Sequence, residues 1–255
     1  MRVTFYFSSK RDIILPVSYN ELIQAMIYRY LEKDFATFLH EKGYEGNGRT
    51  FKLFCFSQIT SPAFFNFNKH TKTINFGNRI EFTLSTSVEK IAISFVENQM
   101  KSSDIFLGNN NLILEGIKVH TKKTFSNNVV LKVLSPITVY STLSTPDNKS
   151  KTYYYSPTEP EFEELIYNNL IKKLHANLTN FNDLDFSSEN NKFQFNIKKY
   201  DFRKNQKTTQ FKGFYIKGYT GIYELIGHPT LIELAYNTGL GSKNSMGFGY
   251  WEIRD

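Results

Sequence analysis

The sequence predicts an α+β protein of two tandem ferredoxin-like (β-α-β-β-α-β) units with a C-terminal glycine-rich loop. Three observations carry that prediction. Stretches that alternate polar and apolar residues are interleaved with stretches whose apolar residues recur at i, i+3 and i+4. The same order of elements occurs twice along the 255 residues. Between the two runs, residues 121–128 turn polar, which divides the chain into 1–124 and 125–255. No residue-by-residue repeat accompanies the repeated order: where the second run has its glycine loop, the first has only Gly108-Asn109-Asn110.

Residues 2–7 alternate as a strand does. Ser18-Tyr19-Asn20-Glu21 has the spacing of a capping box, with Ser at the N-cap and Glu three residues on. The helix it opens carries Leu22, Ile23, Met26, Ile27 and Tyr30 on one stripe. Tyr28 sits about 100° round from Ile27, on the flank of that stripe. A second helix over 34–41 turns Phe35, Phe38 and Leu39 inward, leaves His40 in its last turn, and ends near Gly43. Residues 43–50 read as a loop, 51–57 and 74–84 as strands, 87–98 as a helix and 113–120 as the closing strand.

The second run starts with a strand over 129–139 around Pro136. A helix over 159–174 follows, with Glu159, Glu161, Glu163 and Glu164 in its first turns, where the helix dipole favours negative charge. Residues 193–200 and 210–219 read as two strands across a lysine-rich turn. A helix over 229–237, the glycine loop and a short final strand complete the unit.

Composition limits the function classes. No apolar run approaches the ~18 residues of a membrane span, and no signal-peptide pattern opens the chain. Cys55 is the single cysteine, so disulfide scaffolds and cysteine-rich zinc sites are excluded. The expectation is a soluble, cytoplasmic protein. A net charge of +7 and a pI near 9.2 favour an anionic partner.

That charge is unevenly spread. Between residues 192 and 219 lie Lys192, Lys198, Lys199, Arg203, Lys204, Lys207, Lys212 and Lys217 against one acid, Asp201. Phe193, Phe195, Tyr200, Phe202, Phe211, Phe214, Tyr215 and Tyr219 are interleaved. Cations hold phosphates and aromatic rings stack on bases, so the segment suits RNA. The plain alternative is a ribbon with aromatics in the core and lysines in solvent. Lys212-Gly213-Phe214 is similar to the start of the RNP1 pattern of RNA-recognition motifs, and the likeness ends at Tyr215.

The loop itself runs Gly239-Leu240-Gly241-Ser242-Lys243-Asn244-Ser245-Met246-Gly247-Phe248-Gly249. Glycine admits positive φ and close backbone approach, and exposed N–H groups with Lys243 would form a phosphate cradle. Gly239, Gly241, Ser242, Lys243, Asn244, Ser245, Gly247 and Gly249 are therefore candidate RNA-binding residues, together with Lys198, Lys199, Arg203, Lys204 and Lys207. A P-loop requires Gly-Lys-Ser/Thr opening a helix, and the dinucleotide fingerprint follows a strand. This loop follows a helix and leads into a strand, so both are excluded.

The order helix, glycine loop, short final strand resembles the C-terminal signature of the RAMP superfamily of CRISPR-associated proteins, in particular its repeat-RNA endoribonucleases. The N-terminal third carries a second likeness, in Ile27-Tyr28, Phe38-Leu39-His40-Glu41 and Phe51-Lys52-Leu53-Phe54. Family members that use a Tyr-His-Lys set carry it in this order. The resemblance thus implies Tyr28, His40 and Lys52 as the catalytic set, with Lys42 a rival for the lysine.

That implied chemistry needs no metal and no cofactor, because RNA brings its own nucleophile, the ribose 2′-OH. An imidazole can serve as base or acid near neutral pH. A lysine can stabilise the charge that builds on the phosphorane-like transition state, and a tyrosine can orient the reacting groups. The products would be a 2′,3′-cyclic phosphate (or 3′-phosphate) and a 5′-OH. His40, His70, His120, His175 and His228 show no metal-ligand spacing. The plain alternative is a histidine favoured by a helix C-terminus and a solvated lysine. The resemblance further implies CRISPR repeat RNA as partner and contact with other subunits of an interference complex, leaves a homodimer open, and calls for no membrane. A second function class is a non-catalytic RNA-binding subunit of such a complex, which would keep the glycine loop and need no histidine.

Overall fold

The computed structural model describes residues 1–62, 65–144, 150–177, 184, 186, 188 and 191–254. The chain is a mixed α/β structure with two five-stranded antiparallel sheets. The first holds Arg2–Ser8 (β1), Phe54–Phe56 (β2), Arg79–Thr86 (β3), Ile105–Leu107 (β4) and Asn110–Val119 (β5), in the order β2-β3-β1-β5-β4. Val3, Phe5 and Phe7 alternate along β1 and point into one core. Phe5 lies opposite Phe82 on one side and Ile117 on the other. Helices Asn20–Arg29 (α1), Lys33–Glu41 (α2) and Glu89–Lys101 (α3) contribute to this core. Phe95 of α3 meets Phe5 edge-on with ring centres 4.9 Å apart.

The second sheet holds Asn128–Ile137 (β6), Gln194–Lys199 (β7), Gln206–Phe211 (β8), Phe214–Ile226 (β9) and Trp251–Ile253 (β10). Its order is β7-β9-β6-β10, with β8 pairing the front half of β9. Helices Pro160–Asn177 (α4) and Pro229–Thr238 (α5) bury Phe162, Ile166, Leu170, Leu174, Leu231, Ile232 and Ala235 in a second core with Leu131, Tyr223, Leu225 and Trp251. Pro229 suits the first position of α5, where no N–H is needed, and the His228 ring caps it by accepting from the Thr230 amide at 3.2 Å.

The second face is buried too: Arg2 and Thr4 of β1, and Ser85 and Thr83 opposite them on β3, are polar and nearly inaccessible. The second half of the chain covers them. Arg2 donates to the carbonyls of Tyr236 at 2.6 Å and Trp251 at 2.9 Å, and to Ser85 Oγ at 3.1 Å. Its guanidinium also lies 3.3 Å from the centre of the Tyr236 ring. A buried cation with several acceptors is a costly group to leave unpaired, so Arg2 holds the two halves in one arrangement.

Three local expectations are corrected. The capping box does not form: α1 starts at Asn20, Tyr19 is its N-cap without a side-chain bond, and the Tyr19 carbonyl accepts from Leu22 and Ile23. Glu21 is drawn away to accept the Lys212 amide at 3.2 Å. Phe38 is 37% exposed rather than inward, because it lies on the rim of α2, against Phe35 and Tyr44.

The supposed lysine-rich turn between two strands is a short helix, Phe202–Asn205, and a whole strand, β8. Asp201 caps that helix by accepting from Arg203 N at 3.0 Å. The true turn is Lys212-Gly213, with φ of +46° and +83° and Phe211 paired to Phe214. Two consecutive positive φ values suit the twist of a tight hairpin. The thirteen residues of β9 are long enough to pair with β8 first and β7 afterwards.

Candidate active site

Tyr28, His40 and Lys52 come together at the edge of the first sheet. Tyr28 is half-buried on α1, and its ring meets that of His40 edge-on at 5.6 Å and that of Phe54 at 6.1 Å. Burial pushes the Tyr28 phenol up to about 12, so it stays protonated as a hydrogen-bond donor. His40 sits exposed in the last turn of α2.

Lys52 lies just before β2, and its Nζ donates to the His40 carbonyl at 2.8 Å. An ammonium at a helix C-terminus is favoured by the dipole, and here it also satisfies an end carbonyl. Gly43 makes room for it, since a Cβ there would lie 3.1 Å from Lys52 Nζ. Partial burial lowers the Lys52 pKa below its usual value. Two of its three N–H donors stay open for another acceptor. Lys42, the rival, is exposed at the C-cap of α2. The three residues therefore meet through His40, with the Tyr28 ring against its imidazole and the Lys52 ammonium on its main-chain carbonyl.

The glycine loop reaches this rim from the other half of the chain. Its glycines are buried: Gly247 packs on the Phe56 ring and Asn20, and Gly249 on the Leu240 carbonyl. The expectation of a row of free N–H groups is corrected at six positions. The amides of Gly239, Leu240, Ser242, Met246, Gly247 and Gly249 donate to Ala235, Gly249, Thr138, Lys243, Asn244 and Pro136 carbonyls. Asn244 holds the loop closed from within, donating to the Leu240 and Phe248 carbonyls at 3.0 Å each. Ser242, Lys243, Ser245 and Met246 are its partly exposed members, and Lys243 Nζ stands 4.7 Å from the centre of the Tyr140 ring.

Two features of the loop lie beyond the sequence reading. On α1, Asn20 Nδ2 donates to the Met246 carbonyl at 3.0 Å and Gln24 Nε2 to the Ser245 carbonyl at 2.8 Å. Residues 20, 24 and 28 are spaced i, i+4, i+8, so one helix face carries both loop anchors and Tyr28. Under the loop, fully buried Lys173 donates to the carbonyls of Gly239 at 2.7 Å and Gly241 at 3.2 Å, and to Asn244 Oδ1 at 2.7 Å. Burial pulls its pKa down to about 7, while three acceptor oxygens favour the charged form. Lys173 follows Phe162, Ile166 and Leu170 on the buried stripe of α4, and a lysine in such a stripe is a signal the sequence does carry.

The basic candidates lie on the second sheet (Lys198, Lys199, Lys207) and on the short helix Phe202–Asn205 between two of its strands (Arg203, Lys204). Lys199, Arg203 and Lys207 are exposed; Lys198 pairs with Glu224 at 2.9 Å and Lys204 with Asp201 at 3.9 Å. Among the described residues no group of three His, Cys, Asp or Glu side chains could hold a metal ion. No helix of the described residues is long and apolar enough to cross a membrane.

The chain is similar to known proteins over nearly its whole length. The family model described as CRISPR associated protein Cas6, C-terminal, matches residues 119–253. A protein of Methanocaldococcus jannaschii named CRISPR-associated endoribonuclease Cas6 1 is 25% identical over 254 residues, covering 98% of this chain and 91% of the relative. A Pyrococcus furiosus CRISPR-associated endoribonuclease Cas6 is 26% identical over 253 residues, covering 95% and 85%. Among solved structures, the product of a Cas6-related gene from Pyrococcus furiosus superposes with a TM-score of 0.82 at 20% identity, covering 100% of this chain and 98% of that one. One described as a RAMP protein binding different RNA substrates gives 0.80 at 19%, with both chains covered completely.

Proposed function

We propose that this chain, which belongs to the Cas6 family of CRISPR-associated proteins, is an endoribonuclease that cuts CRISPR precursor RNA within its repeats. The reaction is attack by the ribose 2′-OH on the adjacent phosphate, without a metal, leaving a 2′,3′-cyclic phosphate and a 5′-OH. The observation that carries this reading is the convergence of Tyr28, His40 and Lys52 from three separate elements. His40, exposed to substrate, moves the proton as base at the 2′-OH or as acid at the leaving 5′-oxygen. Lys52 faces the charge that develops on the phosphate. The phenol of Tyr28, kept protonated by burial, orients the reacting oxygens.

The fold reading that accompanies this is two ferredoxin-like units, 1–124 and 125–255. The order β2-β3-β1-β5 in one sheet and β7-β9-β6-β10 in the other supports it, since each places the first strand of its unit between the third and fourth. Repeat RNA would lie along the exposed part of the glycine loop and the basic second sheet.

The test is incubation of the purified protein with repeat RNA in EDTA, beside a matched RNA with 2′-deoxy at each candidate nucleotide. One cut at a fixed position, abolished by the deoxy sugar, is the expected result. His40→Ala should lower the cleavage rate about 10²- to 10⁴-fold while binding persists. Tight binding without any cut would overturn the catalytic reading and leave a non-catalytic RNA-binding subunit.

A further inference from the structure

The hairpin formed by β8 and β9 leaves two aromatic rings in solvent at its tip. Phe214 is 75% exposed and Tyr215 69%, although Phe211 and Ile216 beside them are buried. That contrast has a structural origin. The inner face of the hairpin is anchored, with Phe211 and Ile216 packed on Phe248 of the glycine loop and Met246 at the margin. The tip is tied down as well, by the Lys212 amide donating to Glu21 at 3.2 Å. Rings on a hairpin held at both points stay exposed for a reason other than looseness.

Their neighbours along the hairpin are cationic, with the Glu21 carboxylate beside the tip already taken by the Lys212 amide. Lys207, Lys212 and Lys217 are exposed on the same hairpin, and residues 202–217 contain no carboxylate. Facing residues Gln210–Tyr215 and Thr208–Lys217 share the outer face, so Tyr215 has a lysine two residues along on its own side. Phe214, paired with Phe211, lies at the rim of the inner face. Exposed rings among ammonium groups that form no ion pair with the described residues suit bases and phosphates of an unpaired strand, since every base has a face to stack. A purely apolar partner would leave those lysines without a counter-charge.

We infer that Phe214 and Tyr215, with Lys212 and Lys217, form a stacking site for unpaired nucleotides of the RNA. The inference rests on the RNA-cleaving reading and adds a subsite to it. The tip is bound to Glu21 in the first turn of α1, and Tyr28 lies seven residues further along, about 10 Å on the helix axis. The stacked bases therefore lie close to the cut phosphate without touching it, and the site contributes to binding rather than to bond cleavage.

The experiment uses the full chain and a single-stranded repeat RNA carrying 2′-deoxy at the cleavage nucleotide and 2-aminopurine at successive positions nearby. Wild type should quench the fluorescence at one or two positions. Phe214→Ala and Tyr215→Ala should each weaken binding about tenfold or more and abolish quenching, whereas Phe214→Trp and Tyr215→Trp should retain both. Equal affinities and no quenching at any position would overturn the inference. So would a change from dimer to monomer in the alanine variants, which would make the tip a contact between two copies. Because this RNA cannot be cut, the readout is independent of catalysis. Ring-dependent binding by a protein that cuts nothing would refute the nuclease reading alone, and cutting with ring-independent binding would refute the stacking site alone.

Discussion

Gln24 on the first helix donates a 2.8 Å hydrogen bond to the main-chain oxygen of Ser245, more than two hundred residues away. One turn along the same face stands Tyr28, in edge contact with His40. The glycine loop and the Tyr28–His40–Lys52 rim are therefore referred to one rigid element. A net hydrogen bond is worth about 0.5–1.5 kcal/mol, so Gln24→Ala should slow single-turnover cleavage roughly threefold to tenfold. The melting temperature should change little, because the contact is at the surface of the core. A large fall in melting temperature with unchanged cleavage would show that Gln24 serves stability only.

Lys52 should matter through its charge. In the proposed mechanism Lys52→Ala removes the cation that would face the developing phosphate charge, and it should lower the rate at saturating RNA by about 10²-fold or more. Burial lowers its pKa, so the charge is present at low pH and lost as pH rises through that lowered value. Wild-type cleavage should accordingly decline on the alkaline side earlier than an ordinary lysine would dictate. Lys52→Arg keeps its charge throughout and should flatten that limb. A rate–pH profile with identical alkaline limbs for the two proteins would remove Lys52 from the chemistry.

Lys173 links stability to pH. Its pKa is about 7 in the folded chain against 10.5 for the free side chain. Between those values the unfolded chain binds the proton and the folded chain does not, so this group makes stability rise with pH across that window. Below about pH 7 both states are protonated and the slope vanishes. Lys173→Met should erase the slope in urea titrations run from pH 7 to 10. It also leaves Gly239, Gly241 and Asn244 oxygens unpaired, costing roughly 1–3 kcal/mol net. A wild-type stability flat over that range would contradict the assignment.

Gly249 is the glycine least replaceable in the loop. A Cβ there would stand 2.0 Å from the Leu240 carbonyl oxygen and 2.7 Å from Asn244 Nδ2, with φ at +76°. Gly249→Ala should cost roughly 3 kcal/mol or more, clash added to backbone strain. At Gly213 the φ is +83° but no atom lies within 4 Å, so Gly213→Ala should cost only the strain, about 1–2 kcal/mol. Thermal melts of the two variants, compared side by side, check the order.

What the sequence legibly carried was local. Alternation marked β1, the 3.6 period marked α1 to α5, and the clustered glycines marked a place where the backbone turns back on itself. The cations of residues 192–217 were countable without any structure. Where local signals failed, a distant group had taken the residue: Glu21 left its capping box for Lys212, and the loop amides went to Thr138, Pro136 and their own neighbours.

The sequence by itself determined the longer helices and strands, the polar break near the middle of the chain and the chemistry available to the site, because periodicity and residue type are short-range properties of the chain; it missed β8 and the helix before it. Tertiary structure alone decided that Tyr28, His40 and Lys52 meet, that Gln24 holds Ser245, and that the loop closes over a buried Lys173. Those pairings join residues whose separation in the chain carries no signal. They form because the two halves pack across the polar face of β1, where Arg2 and the loop carbonyls must find partners once water is excluded.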